Sequence, residues 1–203
     1  MGLATYSDLK ASVADWLHRE DLSAAITDFV TLAEARINNE LFCQQQITST
    51  TLTTTAGVAT VALPTDWLRL VRLAVSGQYN ALDFQSPTQF ASMYAGTTTG
   101  IPVHYTIEDD SLVLGPTPSD AYSIALTYYA AVPALSDSAT TNWLLTKWPN
   151  VYLFGALCES APYTGDDSRL QMWEARFQQA LNAARKFDQA ARFSGAVPQV
   201  AVR

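Results

Sequence analysis

Histidine, cysteine and charge are scarce in this chain, and each scarcity removes a class of function. There are two histidines, His18 and His104, in 203 residues, so general acid–base chemistry has few groups to work with. The glycines fall in neither a phosphate-cradling nor a nucleophile-elbow spacing. Charged residues make up 15% of the chain and the formal net charge is −7. That balance argues against affinity for nucleic acid through its phosphates, which needs Lys and Arg to release counterions. No apolar run approaches the roughly 18 to 20 residues that cross a bilayer. The longest are 128–135, interrupted by Pro133, and 151–158. The amino terminus lacks the basic start and apolar stretch of a secretory signal, so synthesis in the cytosol and no association with a membrane are expected. The two cysteines, Cys43 and Cys158, lie far apart in apolar surroundings without a Cys-x-x-Cys pair, and are expected as buried, reduced thiols.

Against these absences stands a surplus of apolar and aromatic residues. The chain is 48% hydrophobic, with five tryptophans, nine tyrosines and eight phenylalanines. That is more apolar surface than a solitary soluble domain of this size needs, and part of it is expected between subunits. Trp16, Trp67, Trp143, Trp148 and Trp173 read as core or interface anchors.

Periodicity divides the chain into helical ends and a β-rich middle. A first helix is predicted over Tyr6–Leu17, where Leu9, Val13, Trp16 and Leu17 form one apolar stripe. A second, from Ser23 or Thr27 to Leu41, carries Ile26, Phe29, Val30, Ala33, Ile37 and Leu41 on one side and Glu34, Arg36, Asn38 and Asn39 largely on the other. From Phe42 to Thr65 there is no charge at all, and Thr51–Thr55 and Val58–Leu63, flanking an Ala-Gly step, read as an exposed Thr-rich hairpin. Further strands are predicted at Leu68–Val75, Asn80–Phe84, Val103–Ile107, Ser111–Leu114 and Tyr122–Ala130, with a short helix at Pro87–Tyr94. Helix returns at Val151–Ala161, with Pro149 at a first helical position and Pro162 as its stop. The last helix is expected to start at Asp166 or Asp167 and to finish with Arg185 and Lys186. The reading is an α+β fold, in which 1–47 and 136–192 build a helical bundle, 48–135 is an inserted β-rich region, and 193–203 is an extended carboxy-terminal arm.

Few constellations invite chemistry. His18 sits in a charged corner and reads as a solvated residue. Gly165-Asp166-Asp167 resembles a polymerase triplet but opens a helix, where a capping carboxylate explains it. Glu108, Asp109 and Asp110 read as a polar turn, since the spacing with Asp120 lacks the alternating oxygens and central glycine of a calcium loop. No catalytic residue, cofactor or metal is expected.

Several stretches resemble the head-to-tail adaptor (connector, or gatekeeper) family of tailed bacteriophages. They are Ala4-Thr5-Tyr6-Ser7-Asp8-Leu9-Lys10, Ala14-Asp15-Trp16-Leu17, Leu32-Ala33-Glu34-Ala35-Arg36-Ile37-Asn38 and Leu63-Pro64-Thr65-Asp66-Trp67. The match continues through Leu114-Gly115-Pro116-Thr117-Pro118, Leu126-Thr127-Tyr128-Tyr129, Val132-Pro133-Ala134-Leu135-Ser136-Asp137 and Asn142-Trp143-Leu144-Leu145. It closes with Tyr152-Leu153-Phe154-Gly155-Ala156-Leu157 and Trp173-Glu174-Ala175-Arg176-Phe177.

The resemblance implies a structural virion protein at the neck, with about twelve copies in a ring under the portal protein. The ring would join the portal to tail (nozzle or tail-tube) proteins and surround the channel through which the genome DNA passes. It further implies a portal-binding arm, for which Phe193, Val197, Pro198, Val200, Val202 and Arg203 are the candidates. Two other functions stay open on the residues: another tail-completion or tail-tube structural protein, and a small hydrolase or carbohydrate-binding module using His104, Asp109 and Asp110.

Overall fold

The computed structural model describes residues 2–78, 80–96, 98–165 and 168–193, with residues 191–193 described by their backbone alone. The chain divides into two compact units, one formed by residues 1–44 with 132–203 and the other by Gln45–Ala131. The first is helical and the second is built of strands, so the protein is α+β with helices at both ends and a β-rich middle.

The helical unit contains α1 (Tyr6–Leu17), α2 (Ser23–Glu40), α4 (Trp143–Lys147), α5 (Pro149–Thr164) and α6 (Leu170–Phe193). A reciprocal capping box starts α1: Thr5 Oγ1 accepts the Asp8 N–H at 3.2 Å, and the Asp8 carboxylate accepts the Thr5 N–H at 3.0 Å. Exposed His18, in the left-handed region at φ 53°, ends it and donates its N–H back to the carbonyls of Ala14 and Asp15. The predicted apolar stripes face inward. Leu9, Val13, Ile26, Val30, Ile37, Tyr152, Leu157, Phe177 and Leu181 share one core. Gly155 marks the tightest crossing, since a Cβ there would lie 3.1 Å from the Ala33 methyl and 3.2 Å from the Phe177 ring. Only a bare backbone lets α5 come this near to α2 and α6.

Three expectations are corrected in this unit. Pro162 does not stop α5, which runs on to Thr164. The proline is exposed and in the last turn, where the Ser160 and Thr164 hydroxyls donate to the carbonyls of Leu157, Ser160 and Ala161, and Gly165 at φ 67° then ends the helix. The last helix is regular from Leu170 and runs past Lys186 to Phe193, while Asp166 and Asp167 lie outside the described residues. Glu34 is not on a solvated face but 8% exposed.

The reason for Glu34's burial is a strap. Its carboxylate accepts the Leu135 N–H at 2.8 Å, and one turn on, Asn38 Oδ1 accepts the Val132 N–H at 2.9 Å. Asn142 completes the hold by donating to the Pro133 carbonyl at 2.7 Å. The extended segment 132–135 is thus fixed to α2 by side chains, since it belongs to no sheet that would satisfy its backbone. Burial pushes the Glu34 carboxyl above its ordinary range, against the two hydrogen bonds from Leu135 and Tyr152 that favour the anion. A carboxyl raised in the folded chain contributes its stability below the ordinary value of about 4.3 and withdraws it as pH climbs through the folded pKa. Glu34→Gln keeps an acceptor oxygen without the charge. Its thermal midpoint is expected to exceed that of the native chain at pH 7 and to converge with it at pH 4. A gap that widens on acidification contradicts this.

The β unit has two principal sheets. The first, of order β1-β9-β3, joins β1 (Ile47–Thr53), β9 (Ser123–Ala130) and β3 (Trp67–Val75), all antiparallel. The second, β2-β7-β6-β4, joins β2 (Thr60–Ala62), β7 (Ser111–Gly115), β6 (His104–Glu108) and β4 (Asp83–Phe84). A parallel pair, β5 (Thr99–Gly100) and β8 (Thr117–Pro118), and the helix α3 (Pro87–Met93) lie beside them in sequence. Leu73, Val75, Ile124, Leu126 and Tyr128 of the first sheet share a core with Tyr105, Leu112 and Leu114 of the second. This overturns the expected Thr-rich hairpin. The turn at Ala56-Gly57 is present, with the Val58 N–H on the Thr55 carbonyl at 3.0 Å, but β1 then pairs with β9 and β2 with β7. Each strand has one apolar side to bury, and both sheets need it on the same core, so the strands part at the turn.

Candidate interaction surfaces

In the helical unit one arginine gathers three helices. Arg36 on α2 pairs through Nε with Glu40 at 2.8 Å, through Nη2 with Glu174 on α6, and through Nη1 with Glu159 on α5 at 3.7 Å. Its guanidinium lies 4.5 Å from the centre of the Phe177 ring. Gln178 Nε2 bridges Glu40 and Glu174 at 3.0 and 3.1 Å. Arg36 holds the Glu174 carboxyl below the usual range. Burial, with Glu174 nearby, pushes the Cys158 thiol up to about 12, so this buried cysteine stays a thiol at neutral pH. Cys43 is also buried and forms no disulfide.

Apolar groups remain outside these contacts. Trp16 is 43% exposed despite its place in the predicted stripe, and meets Phe154 edge-on at 5.7 Å. It borders a depression of about 300 Å³ lined by Asp15, Trp16, His18, Arg169, Met172 and Trp173. Arg169 spans its floor, donating to the Trp16 carbonyl at 3.4 Å and stacking 4.9 Å from the Trp173 ring. Leu32, Tyr163 and Phe187 are exposed elsewhere on the unit.

The β unit presents a second kind of surface. Between residues 45 and 131 the only cations are Arg69 and Arg72, against six carboxylates. Both arginines are exposed on β3, and the register sets them opposite Tyr129 and Thr127 of β9, whose neighbours on β1 are Ile47 and Ser49. Hydroxyls continue this face, with Ser49 Oγ and Thr127 Oγ1 3.0 Å apart. Phe84, Ile101 and Val103, all exposed, form an apolar margin at the β4 side of the other sheet. At its far end Asp109 and Asp110 make a two-residue turn with φ of 45° and 55°.

The groups considered for hydrolysis do not converge. His104 takes a hydrogen bond with Tyr94 Oη at 2.6 Å and stands at the start of β6. Asp109 and Asp110 follow that strand's end, about 16 Å along it. Among the described residues no group of three His, Cys, Asp or Glu is placed to hold a metal ion, and no helix is long and apolar enough to cross a membrane.

Of the arm candidates, Phe193 is the last residue of α6. Val197, Pro198, Val200, Val202 and Arg203 lie outside the described residues. Reading the sequence missed the roles of Glu34, Arg36, Asn38 and Asn142. Three of them stand in one quoted stretch, Leu32–Asn38, which was the available signal. Residues 4–202 match the model of the family described as SU10 adaptor protein. No curated protein matches the chain.

Proposed function

Since the chain belongs to the SU10 adaptor protein family, a family of phage structural adaptors, we propose that it forms a ring of about twelve copies beneath the portal. There it joins the portal to nozzle or tail-tube proteins and surrounds the DNA exit channel without reacting with the genome. The observation that carries this reading is the extent of the family match, which spans both units and reaches residue 202. Adaptors of this kind are virion components that meet portal and tail proteins in general.

The surfaces suit such a role. A ring subunit needs lateral faces, and repetition multiplies modest contacts. Exposed Trp16, Met172 and Phe187 and the margin of Phe84, Ile101 and Val103 supply them. The arm of Phe193, Val197, Pro198, Val200, Val202 and Arg203 reaches into portal subunits. The net charge of −7 keeps the channel from gripping phosphates. Imaging purified portal particles mixed with this chain is expected to show an added ring of density on one face of the portal. A portal that stays bare at saturating concentration overturns the reading. A chain that binds tail-tube proteins and ignores the portal assigns it to tail completion instead.

A further inference from the structure

The two principal sheets of the β unit divide its charge by sign. The strands β1, β9 and β3 contain no Asp or Glu, and their only charged residues are Arg69 and Arg72. The strands β2, β7, β6 and β4 contain no Lys or Arg. Their carboxylates are Asp83 and Glu108, and Asp109 and Asp110 continue the second of these in the turn to β7.

The register decides which way each set points. Leu73, Leu126 and Tyr128 of the first sheet face the core shared with the second. Arg69 and Arg72 stand opposite Tyr129 and Thr127, the alternate residues of β9, so both lie on the face turned away from that core. Their partners are two residues apart, which sets the arginines about 7 Å from each other along the sheet. The acidic turn is the tip of the β6 and β7 hairpin in the other sheet, and Glu108, Asp109 and Asp110 are all exposed there. The Asp110 carbonyl accepts the Leu63 N–H at 3.1 Å, and the adjoining Pro64 carbonyl accepts the N–H of Trp67, the first residue of β3, at 3.1 Å. Arginines and acidic turn therefore stand toward the same end of the unit, on different sheets. Among the described residues no ion pair involves Arg72, Glu108, Asp109 or Asp110.

We propose that neighbouring copies in the ring meet through these two patches, with Arg69 and Arg72 of one copy taking the carboxylates of the Glu108-Asp109-Asp110 turn of the next. The inference rests on the adaptor reading and says which faces its lateral contact uses. A ring contact is heterologous, so one chain must carry two different patches that fit each other. Opposite charges segregated onto two sheets of one unit meet that requirement. Acidic chains repel on average. What selects a second copy here is the local match of sign, because every copy carries the turn that the arginine face fits. Guanidinium forks bind carboxylates in a defined geometry, and nothing in the strands of the arginine face repels an anion. A single exposed pair is worth little, so the contact gains from repetition around the ring and weakens in salt.

Two variants test this on the portal. One carries Arg69→Glu and Arg72→Glu. The other carries Glu108→Lys, Asp109→Asn and Asp110→Asn, since asparagine tolerates the positive φ of that turn. Every substituted position is exposed, so both variants are expected to keep the native far-UV circular dichroism and thermal midpoint. Each alone is expected to need at least about tenfold more chain than the native to cover half of the portal particles with a ring. An equimolar mixture is expected to recover most of that loss, because in alternating order every contact again joins opposite signs. Either variant covering the portal at the native concentration overturns the proposal, and so does a mixture no better than its parts. A native chain that leaves the portal bare counts against the adaptor reading. In that case, or if a variant loses its fold, cross-linking in solution decides on the contact. A short bis-maleimide is expected to link a chain carrying Arg72→Cys and Glu108→Cys into ladders of three copies and more, since Cys43 and Cys158 are buried. Products that stop at one or two copies overturn the proposal.

Discussion

A chain ended at Arg192 is expected to fold as the intact chain does and to leave the portal undecorated. The folding half of this expectation follows from burial. Along α6 the inward residues are Trp173, Phe177, Ala180, Leu181 and Ala184, and none of the residues between Arg185 and Ala190 is buried. Removing Phe193 onward therefore takes nothing from the described core. The docking half rests on the proposed arm. Phe193, Val197, Val200 and Val202 would each gain about 1.5–3 kcal/mol when fully buried in a portal groove. Losing about 3 kcal/mol of that contact per subunit corresponds to roughly a hundredfold in affinity, and a ring multiplies it. The measurement is the fraction of portal particles with an added ring, at a concentration where the intact chain saturates them. Equal decoration by the truncated chain removes the arm from the mechanism. In a full-length chain carrying Val197→Asp and Val200→Asp, the loss should recur, which separates side-chain contact from length.

Asn142→Ala is expected to lower the unfolding free energy by about 3 kcal/mol, because one buried amide satisfies three partners. Its Oδ1 accepts the Leu145 N–H at 2.8 Å as the amino-terminal cap of α4, a bond worth about 1 kcal/mol. Its Nδ2 donates to the Pro133 carbonyl and to Tyr152 Oη at 2.7 and 2.6 Å. Alanine leaves that carbonyl and hydroxyl with poorer company, since the nearest other partner of Tyr152 Oη is Glu34 at 3.5 Å. Each such group costs about 1–3 kcal/mol when buried and unmatched. For a protein of this size, the thermal midpoint should fall by about 6–12 °C. Tyr152→Phe in the same background closes a double-mutant cycle, and the two losses are expected to add to less than their sum. A drop of less than about 1 kcal/mol for Asn142→Ala would show that the strap holds without this residue.

What could be read from the sequence was what repeats locally. Leu9, Val13 and Leu17 in α1, and Ile26, Phe29, Val30, Ala33 and Ile37 in α2, are buried as their spacing requires. The strand segments also stand close to where alternation and turn residues put them. Partnerships between distant residues were not legible. Glu34 looks solvated on a helix flank because its partner, the Leu135 N–H, is 101 residues away. The pairing of Ile47 with Tyr129 leaves no local trace, whereas Ala56-Gly57 announces a turn and so suggested the wrong neighbour. Pro162 misled because a proline in the last turn removes a single helical hydrogen bond, and the helix runs on to its glycine stop at Gly165. For the surfaces, the arm was named through resemblance. The placing of Arg69 and Arg72 on one face of a sheet needed the register.

The pairing of β1 with β9 has an evolutionary corollary. These are the first and last strands of the β unit, and Ile47 stands directly opposite Tyr129, within about 5.5 Å. The polypeptide thus leaves and rejoins the helices through two adjacent points, as if through a doorway. A lineage can trade the whole module behind it for a larger, smaller or differently decorated one without lengthening any connection. Recombination among phages then has a natural seam, between the helical bundle and the β unit.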